Sequence, residues 1–296
     1  MTNPLLAPWT APFGMAPFDQ ITDDDFAPAL DAALAEARAN IAAITDNAEP
    51  PSFANTIEAL ERADEALGRV LGVFYTLAGT DTNDARNALM RKFSPKLAAY
   101  GSEVTMNRPL FQRIETLWKE RAALRLGEEE ARVLFLTRRG FVRAGAALEG
   151  AAANRLKEIK ERLAVLGTEF TQNLLKDEAG WHLELGAEDL EGLPEFVVAG
   201  ARAAGHEKGV GCPVVTLSRS LVVPFLQFSP RRDLREKAFA AWTARGANGG
   251  DTDNRASAAE ILALRGERAR LLGYASFAEY KLETEMAGAP GAVRDL

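Results

Sequence analysis

The chain has 296 residues, 47% of them hydrophobic and 26% charged, with a formal net charge of −7. That composition is globular and excludes a disordered or fibrous chain. The acidic balance argues against a basic surface for nucleic acid or anionic lipid.

Chain order begins with "MTNPLLAPWTAPFGMAPFDQ", which has no basic leader and is broken by Pro4, Pro8, Pro12 and Pro17. It does not read as a signal peptide, and alternating prolines and aromatics predict an extended arm laid against the body. In "ITDDDFAPALDAALAEARANIAAI" the positions Phe26, Leu30, Leu34, Ile41 and Ile44 recur at helical spacing, behind acidic residues suited to a helix N-terminus. From Phe53 to Leu77 a further stripe predicts one helix of about seven turns, ended by Gly79. Leu89, Phe93, Leu97, Tyr100 and Val104 predict the next, with Pro95 inside it implying a kink or a break. Pro109 suits the first turn of "RPLFQRIETLWKER", and a helix follows Glu128–Glu130 through Phe141.

The longest clean stripe is Leu156, Ile159, Leu163, Leu166, Phe170 and Leu174. Then the pattern changes. "WHLEL" and "PVVTLS" are short β-like runs, separated by a short helix and the glycine-rich turn "GHEKGVG". Helices resume at "RRDLREKAFAAWTARG", "TDNRASAAEILALRGERARLLGY" and "SFAEYKLETEMAG". Gly288 reads as a helix stop and Pro290 as a new start with too little chain after it, so Ala292–Leu296 are expected to fray or pack irregularly. The fold class is therefore mainly α: long amphipathic helices in a multi-helix array, with a small β-hairpin-like insert near 181–217. The expected division is 1–178 and 179–296. No apolar run reaches the ~20 residues a membrane helix needs.

Candidate chemistry is sparse. His206-Glu207 opens like H-E-x-x-H, but Val210 stands where the second histidine belongs, and a glycine-rich loop is no helix. His182 and Glu184 alternate on a strand and share a face; the H-x-E of zinc deaminases also needs P-C-x-x-C, whereas Cys212 precedes Pro213 alone. His182 is expected to pack at the end of its strand. Gly209 and Gly211 lack the third glycine of a dinucleotide fingerprint and read as a turn. The single cysteine cannot close an internal disulfide, which fits a reducing cytoplasm, and a structural thiol is expected. Arg231, Arg232, Arg235 and Lys237 read as a surface ion-pair face. Trp9, Trp118, Trp181 and Trp242 read as core rather than ligand boxes. No catalytic, cofactor-binding or metal residue is assigned.

Several stretches carry a resemblance. "FANTIEALERA" (Phe53–Ala63) resembles the F-x-N-T-x-x-x-L-E segment of the thimet oligopeptidase, oligopeptidase A and peptidyl-dipeptidase family of zinc metallopeptidases. "FSPKLAAYGSEVTMNRPLFQRI" (Phe93–Ile114) is similar to its S-P-x-L and N-x-x-L-F-x-x-I segments. "LREKAFAAWTARG" and the run from Thr252 resemble its R-E-x-x-x-x-A, D-N and L-R-x-x-x-A-x-L-L-G series, and the arm is closest to the bacterial peptidyl-dipeptidase branch.

The resemblance implies a mostly helical, cytoplasmic enzyme that hydrolyses short peptides in an enclosed channel. Zinc would be bound by the two histidines of H-E-x-x-H and a glutamate on the next helix, none of which maps onto this sequence. Residues 1–178 would form the channel wall and 179–296 the start of the catalytic half, cut before the zinc site. On this view the chain alone is inactive, binds no zinc, and exposes an apolar surface for the missing C-terminal half. The alternatives are a non-catalytic helical peptide- or partner-binding relative, and an unrelated enzyme using His182, Glu184 or Cys212.

Overall fold

The computed structural model describes residues 3–296. Two compact units follow one another in sequence, one ending at Glu149 and one spanning Gly150–Leu296. The boundary expected after residue 178 falls toward the far end of a helix, Gly150–Gly180, that belongs wholly to the second unit.

In the first unit, α1 (Asp23–Thr45) starts where Thr22 and Asp25 bond reciprocally and three aspartates meet the positive helix end. The single helix expected from Phe53 is instead three pieces: a π-helical turn (Phe53–Glu58), α2 (Ala59–Arg62) and α3 (Glu65–Thr80). Side chains compete for its backbone. Ser52 and Asn55 form a reciprocal cap at 2.8 and 3.1 Å, and Asn40 donates to the Ala63 carbonyl at 2.9 Å where the chain breaks. By contrast α4 (Asp84–Thr105) runs through Pro95 as one element. It is held on both sides of the proline: Phe93 is buried, Lys96 pairs with Asp31, and Arg38 pairs with Glu103. Capped by Asn107, α5 (Arg108–Glu120) carries Pro109 in its first turn, and α6 (Glu128–Ala144) ends at left-handed Gly145.

Two clusters form this unit's core. One joins Phe26 and Leu30 of α1 to Val70 and Phe74 of α3 and to Phe93; Phe26 and Phe74 meet edge-on at 5.2 Å. The other joins Ile41 and Ile44 to Leu110, Ile114 and Leu117 of α5 and Leu134 of α6. Each such side chain contributes roughly 1.5–3 kcal/mol through burial. The arm lies against the first cluster, with Leu5 fully buried and the Trp9 indole donating to the Pro4 carbonyl at 3.0 Å. Met1 and Thr2 lie outside the described residues.

The second unit opens with α7 (Gly150–Gly180), then β1 (His182–Glu184), α8 (Glu195–Glu207) and β2 (Val214–Thr216). The strands pair antiparallel, His182 opposite Thr216, as the small two-stranded insert expected near 181–217. Next come α9 (Arg219–Phe228), α10 (Arg232–Thr243), α11 (Arg255–Leu271), α12 (Phe277–Leu282) and α13 (Pro290–Asp295). No expectation covered α9, a short helix that contains Pro224 yet buries Leu221, Val222 and Phe225 against Val197, Val215 and Ala238. Against α7, α11 packs through Ile159, Leu166 and Leu264, flanked by Arg155–Glu267 at 2.7 Å and Arg162–Glu260 at 2.6 Å.

At the C-terminal end, the fraying expected for Ala292–Leu296 is corrected. Residues through Asp295 complete a helical turn, because Pro290 at its first positions pre-sets the backbone angle.

Candidate functional site

The chemically active side chains do not converge. His206 and Glu207 occupy the last turn of α8, correcting the loop assignment. The helix ends in a Schellman motif: Gly209, at φ +70°, donates to the His206 carbonyl, and Val210 donates to that of Gly205. Val210 therefore lies beyond the helix, and His206 is exposed.

On β1, His182 and Glu184 do share a face, with Nε2 and Oε1 3.8 Å apart, but His182 is exposed rather than packed at the strand's end. Half-buried Cys212 lies beside Glu184; burial first, and then that carboxylate's charge, pushes the thiol up. It is thus held as a neutral thiol, the opposite of an activated nucleophile. Among the described residues no group of three or more His, Cys, Asp and Glu side chains is placed to hold a metal ion. A zinc site needs about three protein ligands, so the residues present do not fit one.

The four tryptophans, read as core, are instead half-buried and pack at the margins of the apolar clusters. The cationic face resolves into specific contacts: Arg231 pairs with Asp189 and Asp233, while Arg235 donates to the Ser229 carbonyl.

What the motif residues build is a pair of polar anchors. In the first, Arg113 stands on the apolar face of α5, only 9% exposed, beside fully buried Thr56. Its guanidinium donates to Asn55 Oδ1 at 2.9 Å, Thr56 Oγ1 at 3.3 Å, and the carbonyls of Asn47 at 3.0 Å and Glu49 at 3.2 Å. Thus "FANT" and "NRPLFQRI", distant in sequence, meet through one arginine. Sequence reading passed over Arg113; the available signal was a lone cation in the apolar stripe Leu110, Ile114, Leu117.

The second anchor is Asp253-Asn254. Buried Asn254 donates through Nδ2 to the Phe170 carbonyl at 2.9 Å and accepts from Asn173 at 3.1 Å, tying the turn before α11 to α7. Asp253 accepts from the Gly249 N–H and from the Arg255 backbone and guanidinium. The Arg255 side chain, first among these, holds the Asp253 carboxyl at about 2 instead of 3.8. A carboxyl lowered on folding stabilises above its ordinary value and ceases to as pH falls through its folded one. The expected result is a loss of stability between about pH 4 and pH 2 that is smaller in D253N, read from urea midpoints across that range; identical acid profiles would refute it.

Residues 225–296, from the end of α9 through α13, match peptidase family M3. The chain is 34% identical over 292 residues to the dipeptidyl carboxypeptidase of Escherichia coli (strain K12), a span covering 98% of this chain and 43% of that protein. It is 30% identical over 300 residues to oligopeptidase A of Salmonella typhimurium, covering 100% of this chain and 44% of that one. A probable cytosolic oligopeptidase A of Arabidopsis thaliana is 27% identical over 97% of this chain and 41% of its own length. The chain is thus similar to these peptidases along nearly its whole length, matches the family M3 model over residues 225–296, and spans less than half of each of them. No helix among the described residues is long and apolar enough to cross a membrane.

Proposed function

We propose that this chain is the N-terminal, non-catalytic part of a cytoplasmic zinc-dependent peptidase that cleaves short peptides in an enclosed channel. The observation that carries this is the 34% identity sustained over 98% of the chain against a dipeptidyl carboxypeptidase of which it spans 43%. Its helices would wall the channel, and the metal ligands would come from the part of the enzyme these residues do not represent. The donor set here fits no zinc, so no hydrolytic step is assigned to any residue of this chain.

Exposed aromatics of the second unit agree with such a division. Phe196 of α8 is 59% exposed and Phe239 of α10 54%, and Phe196 meets the also exposed Phe228 edge-on at 6.1 Å. Apolar side chains gathered at a surface are commonly covered by a partner surface.

Two measurements test the proposal. Elemental analysis of the purified chain should find no stoichiometric zinc, and incubation with blocked tri- to decapeptides should release no dipeptide. One equivalent of zinc with chelator-sensitive hydrolysis would overturn it. The coding sequence beyond Leu296 should continue in frame to an H-E-x-x-H; a stop codon there would favour a non-catalytic peptide- or partner-binding relative instead.

A further inference from the structure

The α5–α6 face of the first unit carries a guanidinium cluster that nothing above uses. Trp118 of α5 and Phe135 of α6 lie with ring centroids 6.0 Å apart. Arg121 sits 4.1 Å and Arg138 5.0 Å from the Trp118 centroid, while Arg132 and Arg139 each sit 5.2 Å from that of Phe135. Four cations thus border two rings in a chain whose net charge is −7.

They are not equivalent. Arg138 is neutralised by Glu115 at 2.7 Å, and Arg121 donates to the Trp118 carbonyl at 2.6 Å. Arg132 and Arg139 make no ion pair among the described residues. Both lean on Phe135, so their like charges share one ring without a carboxylate between them. A guanidinium held by cation–π attraction beside a ring keeps its N–H groups free to donate two parallel hydrogen bonds to a carboxylate. On one helix face, seven positions apart, the two arginines are separated by two turns, about 10 Å along the axis. Leu136 beside them is 38% exposed and supplies an apolar contact.

We infer that this face docks an acidic peptide segment in polyproline II conformation, whose three residues per turn put carboxylates three residues apart on one side. At roughly 3.1 Å per residue that spacing spans about 9 Å, close to the separation of the two arginines. A peptide is favoured over a nucleic acid by the surrounding charge. The first turn of α6 is Glu128, Glu129 and Glu130, which would repel a continuous phosphodiester, whereas two separated carboxylates can seat on two arginines and avoid it. The inference requires no hydrolysis and stands apart from the peptidase proposal.

Fluorescence anisotropy with the full chain tests it. The probe is a fluorescein-labelled decapeptide with Glu at every third position, compared with the same peptide carrying Gln and with a single-stranded oligonucleotide of equal length. Saturable binding of the Glu peptide at low salt is expected, weaker by about tenfold in R132E/R139E and at about 0.5 M salt. The charge-matched control R91E/R202E, on exposed arginines of α4 and α8, should bind as the parent does. Circular dichroism confirms that each variant is folded. Equal binding of Glu and Gln peptides, unchanged affinity in R132E/R139E, or tighter binding of the oligonucleotide would each overturn the inference.

Discussion

Replacing Gly205 by Ala is expected to destabilise the second unit by at least about 3 kcal/mol, against the sign helix propensity gives. Gly205 is in the last turn of α8 with an ordinary helical backbone, so Ala there should gain up to about 1 kcal/mol. The surroundings forbid it. A Cβ at Gly205 would stand 2.1 Å from the Cys212 carbonyl oxygen and 3.1 Å from its carbon. These are backbone atoms, and they cannot step aside. Pro213, next in the chain, is fixed by the Leu185 N–H donating to its carbonyl at 2.9 Å, and β2 follows. Relief therefore means separating α8 from β2 and opening the cluster of Val197, Ala201, Val215 and Phe225.

The control lies in the same unit. Gly167 of α7 is exposed, with nothing within 4 Å of where an alanine Cβ would stand, so Gly167→Ala should stabilise by up to about 1 kcal/mol. Urea denaturation followed by far-ultraviolet circular dichroism checks both. Similar midpoints for the two alanine variants would refute the steric account.

Arg113→Ala is the second large effect, with an expected cost on the order of 3 kcal/mol to the first unit. Truncation removes four hydrogen bonds and leaves a void beside fully buried Thr56. Asn55 Oδ1 would keep its bonds from the Ser52 N–H and Thr56 hydroxyl, but the Asn47 and Glu49 carbonyls would lose their guanidinium donor. The segment 47–58 should loosen along with α5. Arg113→Lys should recover less than half of the loss, because one ammonium cannot reach acceptors arranged around a planar fork. Midpoint shifts at unchanged denaturant slope, with faster hydrogen exchange at residues 52–58, are the expected readouts. A variant as stable as the parent would show that the anchor is dispensable.

Much of the helical framework was legible because burial imprints a period. Phe26, Leu30, Leu34 and Ile41 lie on the buried face of α1 as their spacing requires. The alternating runs around Leu183 and Val215 do form the one pair of strands among the described residues. Legibility failed where a side chain acts on backbone remote from it. Nothing local distinguishes Asn40 or Asn55 from other polar residues, yet they divide the helix expected from Phe53. Pro95, which locally predicts disruption, is overridden by packing and ion pairs to α1.

The candidate chemistry was legible mostly as a mismatch: two histidines without a common helix and one cysteine without a partner. Structure adds that the thiol is also held neutral beside Glu184.

By itself, then, the sequence determined the helical class, the small β insert and the resemblance to a peptidase family, since each is written in side-chain type and spacing along the chain. The tertiary structure alone decided which motif residues meet. Arg113 gathers Asn55 and Thr56, Asn254 ties its turn to α7, and Gly205 admits the Cys212 carbonyl, because each joins segments whose approach is set by packing rather than by local propensity.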